Sequence, residues 1–98
     1  MTPPLTGAQK NRLRGLGQTT ADAAFLGKDG ITPAFLAELD RLLESRGLVK
    51  LRFTGGQDRH ARAELAERIA SEAACACAGA VGHTALFWRP NEAGKKLL

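Results

Sequence analysis

The sequence predicts an α/β fold, with one domain in which helices pack on a mixed four-stranded β-sheet. Hydrophobic periodicity gives helical and strand segments in the order α-β-α-β-α-β-β. A strand, a crossover helix and a second strand usually form a parallel pair, and two strands joined by a tight turn add an antiparallel hairpin. Because the chain has 98 residues, it has room for one hydrophobic core.

The first predicted helix covers about residues 7–16 and begins at a capping box. Thr6 and Gln9 have the spacing at which the two side chains bind free backbone N–H groups. Leu13 and Leu16 are expected to form its buried stripe.

The first strand is predicted over residues 23–26, a short apolar run in which Phe25 is expected to belong to the core. A tight loop follows it, because two glycines close together permit backbone angles that other residues avoid.

The second helix has the clearest boundary signals. Thr32 is a favourable N-cap, and Pro33 occupies the first helical position, where its missing N–H is not needed. Leucines at helical spacing supply the buried stripe, and Gly47 ends the helix.

Residues 48–54 alternate between apolar and polar side chains, which predicts a strand with one buried face. Lys50 and Arg52 lie on the polar face, either extending a basic surface or resting under a helix with their charged ends in water. Asp58 is placed to cap a third helix that runs to about Ala73.

The last two strands are predicted over residues 76–81 and 84–89, joined by a two-residue turn. Residues 91–98 are interpreted as a loose basic tail. Trp88 and Arg89, at the end of the last strand, are either core residues or available to a ligand.

The positive charge is concentrated at the two ends of the chain. The formal net charge is +4, and residues 1–30 and 73–98 are each basic, whereas residues 31–72 carry equal numbers of acidic and basic residues. If the two ends meet in the fold, they form one positive surface suited to a phosphate backbone, although solvating charge explains the composition equally well.

The loop Gly27-Lys28-Asp29-Gly30 is the most informative local motif. In such a G-x-x-G turn, backbone N–H groups can approach nucleic-acid phosphates because no side chain blocks them, and Lys28 adds positive charge. The loop also leads into a helix N-terminus, which favours anions. The alternative is a strand-to-helix connection that simply needs two glycines.

Lys10, Arg12 and Arg14 form a second candidate phosphate-binding group. Lys10 and Arg14 are four residues apart and therefore share a face of the first helix. In isolation, three such charges are more often a solvated surface.

Catalytic and metal-binding signatures are weak. Cys75 and Cys77 have no further ligands at metal-site spacing and are expected to be small, buried, reduced residues. His60 and His83 stand at no metal-site spacing, and neither a Walker loop nor a dinucleotide fingerprint is present. We expect no enzymatic activity, metal, cofactor or small-molecule substrate.

The N-terminus lacks the basic and apolar regions of a secretory signal, and no apolar run approaches the roughly 20 residues of a membrane span. These observations favour a cytoplasmic protein.

Taken together, the segments resemble the bacterial YhbY proteins, which are the stand-alone form of the CRM domain, named for chloroplast RNA splicing and ribosome maturation. Five stretches, in the expected order, carry the resemblance: LTGAQK (5–10), LRGL (13–16), FLGKDGIT (25–32), GLVKLR (47–52) and VGHTALFWRP (81–90).

The resemblance implies an α/β fold similar to the C-terminal domain of translation initiation factor 3. It makes residues 5–90 a CRM-type RNA-binding domain, followed by the tail 91–98. It further implies RNA binding, with ribosomal RNA in precursors of the large subunit as the expected partner of a monomer. The family's loop corresponds to Gly27, Lys28, Asp29 and Gly30, and its basic surface would include Lys10, Arg12 and Arg14.

One alternative of a different class remains open. A protein-interaction adaptor would dock on a ribosomal protein or assembly factor through the sheet or an acidic helix. Exposed acidic side chains on the second helix, at Glu38, Asp40 and Glu44, favour this alternative. Binding to protein-free RNA distinguishes the two.

Overall fold

The structure, a computed structural model, describes residues 4–98 and contains a mixed four-stranded sheet with helices on both faces. Its elements in chain order are α1 (Gly7–Gly17), β1 (Asp22–Leu26), α2 (Pro33–Arg46), β2 (Leu48–Phe53), α3 (Arg59–Glu72), β3 (Ala76–Val81), β4 (Thr84–Trp88) and α4 (Glu92–Lys95). The predicted fold class and element order are confirmed, with α4 as an addition.

The strands lie in the spatial order β1-β2-β4-β3. β1 and β2 are parallel, as the crossover through α2 predicts, and Leu26 pairs with Phe53 at the carboxyl end of both strands. β4 is antiparallel to both β2 and β3. A two-residue turn joins β3 to β4, and Gly82 there has a left-handed φ of +57°. The loops after β1 and β2 therefore meet at one end of the sheet.

α2 and α3 cover one face of the sheet and form the larger hydrophobic core. Leu39 and Leu43 from α2 and Ile69 from α3 are fully buried against Leu51 and Phe87 of the sheet. Each fully buried side chain of this size stabilises the fold by about 1.5–3 kcal/mol. This apolar contact fixes the crossover helix and therefore the position of the loop that precedes it.

The predicted ends of α2 are confirmed. The Thr32 hydroxyl accepts a hydrogen bond from the Phe35 backbone N–H at 3.1 Å, and Pro33 is the first helical residue. Gly47 ends the helix with a left-handed φ of +73°.

α1 covers part of the opposite face. Its capping box is present, with the Gln9 backbone N–H donating to Thr6 Oγ1 at 3.1 Å and the Thr6 backbone N–H donating to Gln9 Oε1 at 3.0 Å. Leu13 is fully buried beside Leu48 and Trp88. Leu16, in contrast, is 37% exposed, so its assignment to the buried stripe was wrong.

The interpretation of residues 91–98 as a loose tail was also wrong. Asn91 caps the short helix α4, and Gly94 packs so closely that an added Cβ would lie 1.9 Å from the Arg89 carbonyl oxygen. Leu97 and Leu98 pack against the core beneath α1. The two basic ends of the chain therefore meet, which is the condition stated above for one positive surface.

Phe25 is the second residue wrongly assigned to the core. Its neighbours Ala24 and Leu26 face the α2 side of the sheet and are buried, so alternation turns Phe25 to the other face. α1 does not reach it there, and the ring is 56% exposed.

Within residues 4–98, no helix has the length and apolar character that a membrane crossing requires. The N-terminal stretch considered for a secretory signal begins with residues 1–3, which lie outside the described residues.

Candidate nucleic-acid interface

The loop Gly27–Gly30 forms a tight turn between β1 and α2. The Gly30 backbone N–H donates to the Gly27 carbonyl at 3.2 Å, and Gly30 has a left-handed φ of +71°. Lys28 and Asp29 are exposed at its tip. A glycine is therefore favoured at position 30 by the backbone itself.

Gly27 differs from Gly30 in this respect. It has no left-handed φ, and a Cβ added there would meet only Thr54 Oγ1, at an ordinary contact distance of 3.7 Å. The fold thus accepts a methyl group at position 27. Gly27 is half-buried, and the absence of a side chain leaves space beside its backbone.

A second loop, residues 54–57, holds the first from behind. The Thr54 backbone N–H donates to the Leu26 carbonyl at 2.8 Å, and Gln57 Nε2 donates to the Leu26 and Gly27 carbonyls at 3.3 and 3.2 Å. Gly55 packs so closely that an added Cβ would lie 2.7 Å from the Gly27 carbonyl carbon. These contacts fix the inner side of the loop and leave its tip in solvent.

Two further basic side chains lie beside these loops, at the start of α3. Asp58 caps this helix by accepting from the Ala61 backbone N–H at 2.8 Å. Arg62 Nη1 donates to the Gln57 carbonyl at 2.6 Å, and Arg59 and Arg62 line a groove between α3 and the β3–β4 turn. Cations and helix N-termini thus meet at this end of the sheet, partly offset by Asp29 and Asp58.

The three basic residues of α1 do not act as one group. Lys10 and Arg14 share a face, and the aliphatic part of Arg14 packs over Gly79 of β3. Arg12 points elsewhere, because its Nε donates to the Leu97 carbonyl at 2.9 Å. Arg12 therefore ties α1 to the C-terminal residues, whereas Lys10 and Arg14 remain exposed together.

α1 and the loop 27–30 are separate. Lys50 Nζ donates to the Gly17 carbonyl at 3.1 Å, so α1 ends above the middle of β2. The loop begins after Leu26, which pairs with Phe53 of β2. Phe53 lies three residues beyond Lys50 on this strand, so the loop begins about 10 Å from the end of α1. The ammonium group of Lys50 is bound at the C-terminus of α1, where the helix dipole favours a cation. This position agrees with the interpretation that Lys50 lies under a helix.

Trp88 and Arg89 are structural residues. Trp88 is buried and donates its Nε1–H to the Gly94 carbonyl at 2.8 Å. Arg89 is nearly buried, and its Nη1 forms ion pairs with Asp40 and Glu44, both at 2.8 Å. Burial lowers the pKa of Arg89, whereas the hydrogen bonds to the two carboxylates raise it. The carboxylates have the larger combined effect, so Arg89 stays charged. Its Nη2 donates to the Ala73 carbonyl.

Cys75 is buried and Cys77 is half-buried, and neither thiol is activated. Burial raises the pKa of Cys75 to about 12 and also raises that of Cys77, so both thiols stay protonated near neutral pH. In the part of the chain that the structure describes, no three His, Cys, Asp or Glu side chains are grouped so as to hold a metal ion.

Sequence reasoning missed three features of this end of the sheet: the supporting loop 54–57, the pair Arg59 and Arg62, and the exposed ring of Phe25. A signal existed for the first two, because the loops that follow parallel neighbouring strands meet at the same sheet edge. Phe25 was missed because a run of four apolar residues gives no sign of which face is covered.

Comparison with known proteins gives consistent results. A Haemophilus influenzae RNA-binding protein is 31% identical over 91 residues, which cover 93% of this chain and 91% of that protein. A probable RNA-binding protein of Methanocaldococcus jannaschii is 32% identical over 98 residues, covering 96% of this chain and 70% of that protein.

The solution structure of a Staphylococcus aureus protein, described as a candidate RNA-binding protein, superposes with a TM-score of 0.81 at 27% identity, covering 91% of this chain and 92% of that one. The family model of the CRS1 / YhbY (CRM) domain matches residues 5–89, nearly the full length of the described fold. The chain therefore belongs to the CRS1 / YhbY (CRM) domain family.

Proposed function

We propose that this protein is a non-catalytic, cytoplasmic RNA-binding protein that acts as a monomer on ribosomal RNA in precursors of the large ribosomal subunit and assists their assembly. Its family membership and its RNA-binding relatives support RNA as the partner. The resemblance to the YhbY proteins supports ribosomal RNA of the large subunit as the target.

The observation that carries the proposal is the geometry of the loop 27–30. Lys28 is exposed at its tip, Gly27 adds no side chain beside it, and Gln57 and Gly55 hold its inner side. A rigid turn of this kind can bind phosphate oxygens through backbone N–H groups, and Arg59 and Arg62 add attraction nearby.

The test is the salt dependence of RNA binding by Lys28→Ala. We expect weaker binding to protein-free RNA and a slope of log affinity against log salt that falls by about one, because one phosphate contact is lost. Arg46→Ala, an equal charge change on an exposed residue at the far end of α2, is the matched control. Equal effects of both substitutions would mean that the loop has no special role.

The ribosomal target needs a separate experiment. Cell extract is sedimented through gradients at low and high salt, and the fractions are probed for this protein. Co-migration with large-subunit precursors that salt disrupts supports the proposal. A protein that stays at the top of the gradient at low salt would leave general RNA binding only.

The adaptor alternative rests on the acidic face of α2, whose carboxylates are exposed but paired. Asp40 and Glu44 of α2 pair with Arg89 of the same chain, and Glu38 pairs with Arg41 at 2.6 Å. The negative charge on this face of α2 is therefore partly neutralised by ion pairs within the domain.

A further inference from the structure

Four side chains form a row across the whole sheet on the face that α1 only partly covers. Register pairs Phe25 with Arg52, Arg52 with Thr84, and Thr84 with Val81. We call these four residues the terminal row. With strands about 4.8 Å apart, it spans about 14 Å from Phe25 to Val81.

The terminal row is open because α1 stops short of it. The last helical residue, Gly17, packs on Leu86, which pairs with Lys50 two residues before Arg52. Phe25 is 56% exposed and Val81 is 72% exposed. Among the described residues, these are two of the three large apolar side chains with high exposure, Leu16 being the third.

The terminal row lies between the two groups of cations already described. Gly27 follows Phe25 by two residues, about 7 Å along the strand direction. On the other side, Arg14 and Asn11 of α1 line a groove together with Thr84 and Val81. A chain that contacts both the loop 27–30 and α1 along this face would cross the terminal row.

Arg52 is the register partner of Phe25, and its guanidinium extends toward Asp22 at the start of β1. Its Nε donates to Asp22 Oδ2 at 2.6 Å, which fixes the guanidinium plane on the open face. Within residues 4–98, the hydrogen bonds of Arg52's side chain use Nε alone, so both Nη groups are left for a ligand. A guanidinium on the same open face as an exposed aromatic ring can donate hydrogen bonds to a base that stacks there.

We propose that the terminal row binds unpaired bases of single-stranded RNA, with one base stacked on Phe25 beside Arg52 and the adjoining backbone held by the loop 27–30. This inference rests on the proposed RNA-binding function and specifies the form of RNA. A base within a double helix is already stacked on its neighbours, so only an unstacked base can use the ring of Phe25. Thr84 and Val81 extend the surface for a following base.

The test compares the binding of two probes, a ten-nucleotide oligouridylate and a blunt ten-base-pair RNA duplex, by fluorescence anisotropy. Phe25→Ala is expected to weaken oligouridylate binding about tenfold and duplex binding less than twofold. The salt slope stays unchanged, because no charge is removed. Phe25→Tyr keeps an aromatic ring and should bind like the parent protein.

Leu16→Ala is the matched control, because Leu16 is exposed, apolar and outside the terminal row. It should leave the binding of both probes unchanged. The urea midpoint of each variant is measured to confirm that the fold is retained.

A further variant, Phe25→Trp, places a fluorescent ring at the site, and its emission should be quenched by oligouridylate but not by the duplex.

Two results would overturn the inference while leaving the proposed function intact. In the first, Lys28→Ala weakens the binding of both probes and Phe25→Ala weakens neither; in the second, Phe25→Ala weakens both equally. If Phe25→Ala converted a dimer to a monomer in sedimentation equilibrium, the face would be a self-association surface, and both the inference and the proposed monomer would be wrong. If the parent protein bound neither probe, the inference would fail, and absence of binding to protein-free ribosomal RNA as well would overturn the proposed function.

Discussion

At the scale of single residues, the two glycines of the loop 27–30 have different reasons to be glycine. Gly30 has a φ of +71°, a conformation that costs other residues about 1–2 kcal/mol. Gly27 has no such backbone requirement, and an added methyl group there would contact Thr54 Oγ1 alone. A requirement for glycine at position 27 would therefore come from the ligand rather than from the fold.

We accordingly expect Gly27→Ala to preserve stability and weaken RNA binding. The free energy of unfolding should be unchanged or rise by up to about 1 kcal/mol, because alanine restricts the unfolded chain. RNA affinity should fall by roughly 1.5–3 kcal/mol, the scale of a hydrogen bond to a charged group. Urea unfolding and RNA titration measure the two quantities on the same protein.

Gly30→Ala and Gly7→Ala are the comparisons for this prediction. Gly30→Ala should lower the unfolding free energy, because its backbone conformation is strained for alanine. Gly7→Ala should leave binding unchanged, since an added Cβ there meets nothing within 4 Å and lies on α1. Full RNA affinity in Gly27→Ala would show that no phosphate approaches this backbone.

At the scale of the elements, the start of α3 combines a structural and an electrostatic role in one carboxylate. Asp58 accepts the hydrogen bond that caps the helix, yet it also places a negative charge next to Arg59 and close to the loop 27–30. Its charge opposes the binding of phosphate, whereas its oxygen is needed by the backbone.

Substitutions at Asp58 separate these two roles. Asp58→Asn keeps the capping oxygen, so the unfolding free energy should change by only a few tenths of a kcal/mol, while RNA affinity rises, most strongly at low salt. Asp58→Ala should raise affinity similarly but cost about 1 kcal/mol of stability. Calorimetry or urea unfolding together with RNA titration at two salt concentrations tests both statements.

Glu92→Gln is the control for the Asp58 substitutions, because it makes the same charge change in α4, at the other end of the sheet. β2 alone separates the two ends by about 17 Å, beyond the Debye length at physiological salt. If Glu92→Gln raised affinity as much as Asp58→Asn, net charge rather than position would determine binding.

The elements also show which parts of the structure the sequence could predict. Thr6, Thr32 and Asp58 have short-range capping signals, and the helices begin where these predict. The parallel pairing of β1 and β2 followed from the crossover through α2. Local signals and simple topology therefore sufficed for the sheet and its helices.

The errors concern contacts between residues distant in sequence. Phe25 is apolar and lies on a strand, but its exposure depends on where α1 ends above the sheet. The C-terminal segment contains charged residues typical of a tail, yet Gly94 allows it to pack on Gly47 and Trp88. Periodicity reports which residues share a face and cannot report what covers that face.

At the scale of the whole molecule, the candidate interface and the most protected groups lie in different regions. The loops 27–30 and 54–57 stand at the carboxyl ends of β1 and β2. Cys75 lies in the core beneath α2 and α3, before the start of β3. A measurement at Cys75 therefore reports on global unfolding, independently of RNA binding.

The stability of the folded protein should decrease in alkaline solution because of this buried thiol. Burial raises the pKa of Cys75 from 9.0 to about 12 in the folded state, so the thiolate forms more readily in the unfolded chain. Its contribution to stability is complete below about pH 9 and is lost as the pH rises through the folded-state value near 12. The chain contains no tyrosine, which removes one other group that titrates in this range.

We expect the unfolding free energy of the parent protein to fall, relative to that of Cys75→Ala, by on the order of 1 kcal/mol per pH unit between pH 9.5 and 11. The comparison between the two proteins cancels the titration of the lysines, which both proteins share. Urea unfolding at a series of pH values gives the difference, and alkylation of the folded protein should be slow over the same range. Parallel stability curves for the two proteins would show that Cys75 titrates alike in the folded and unfolded states, contrary to its place in the core.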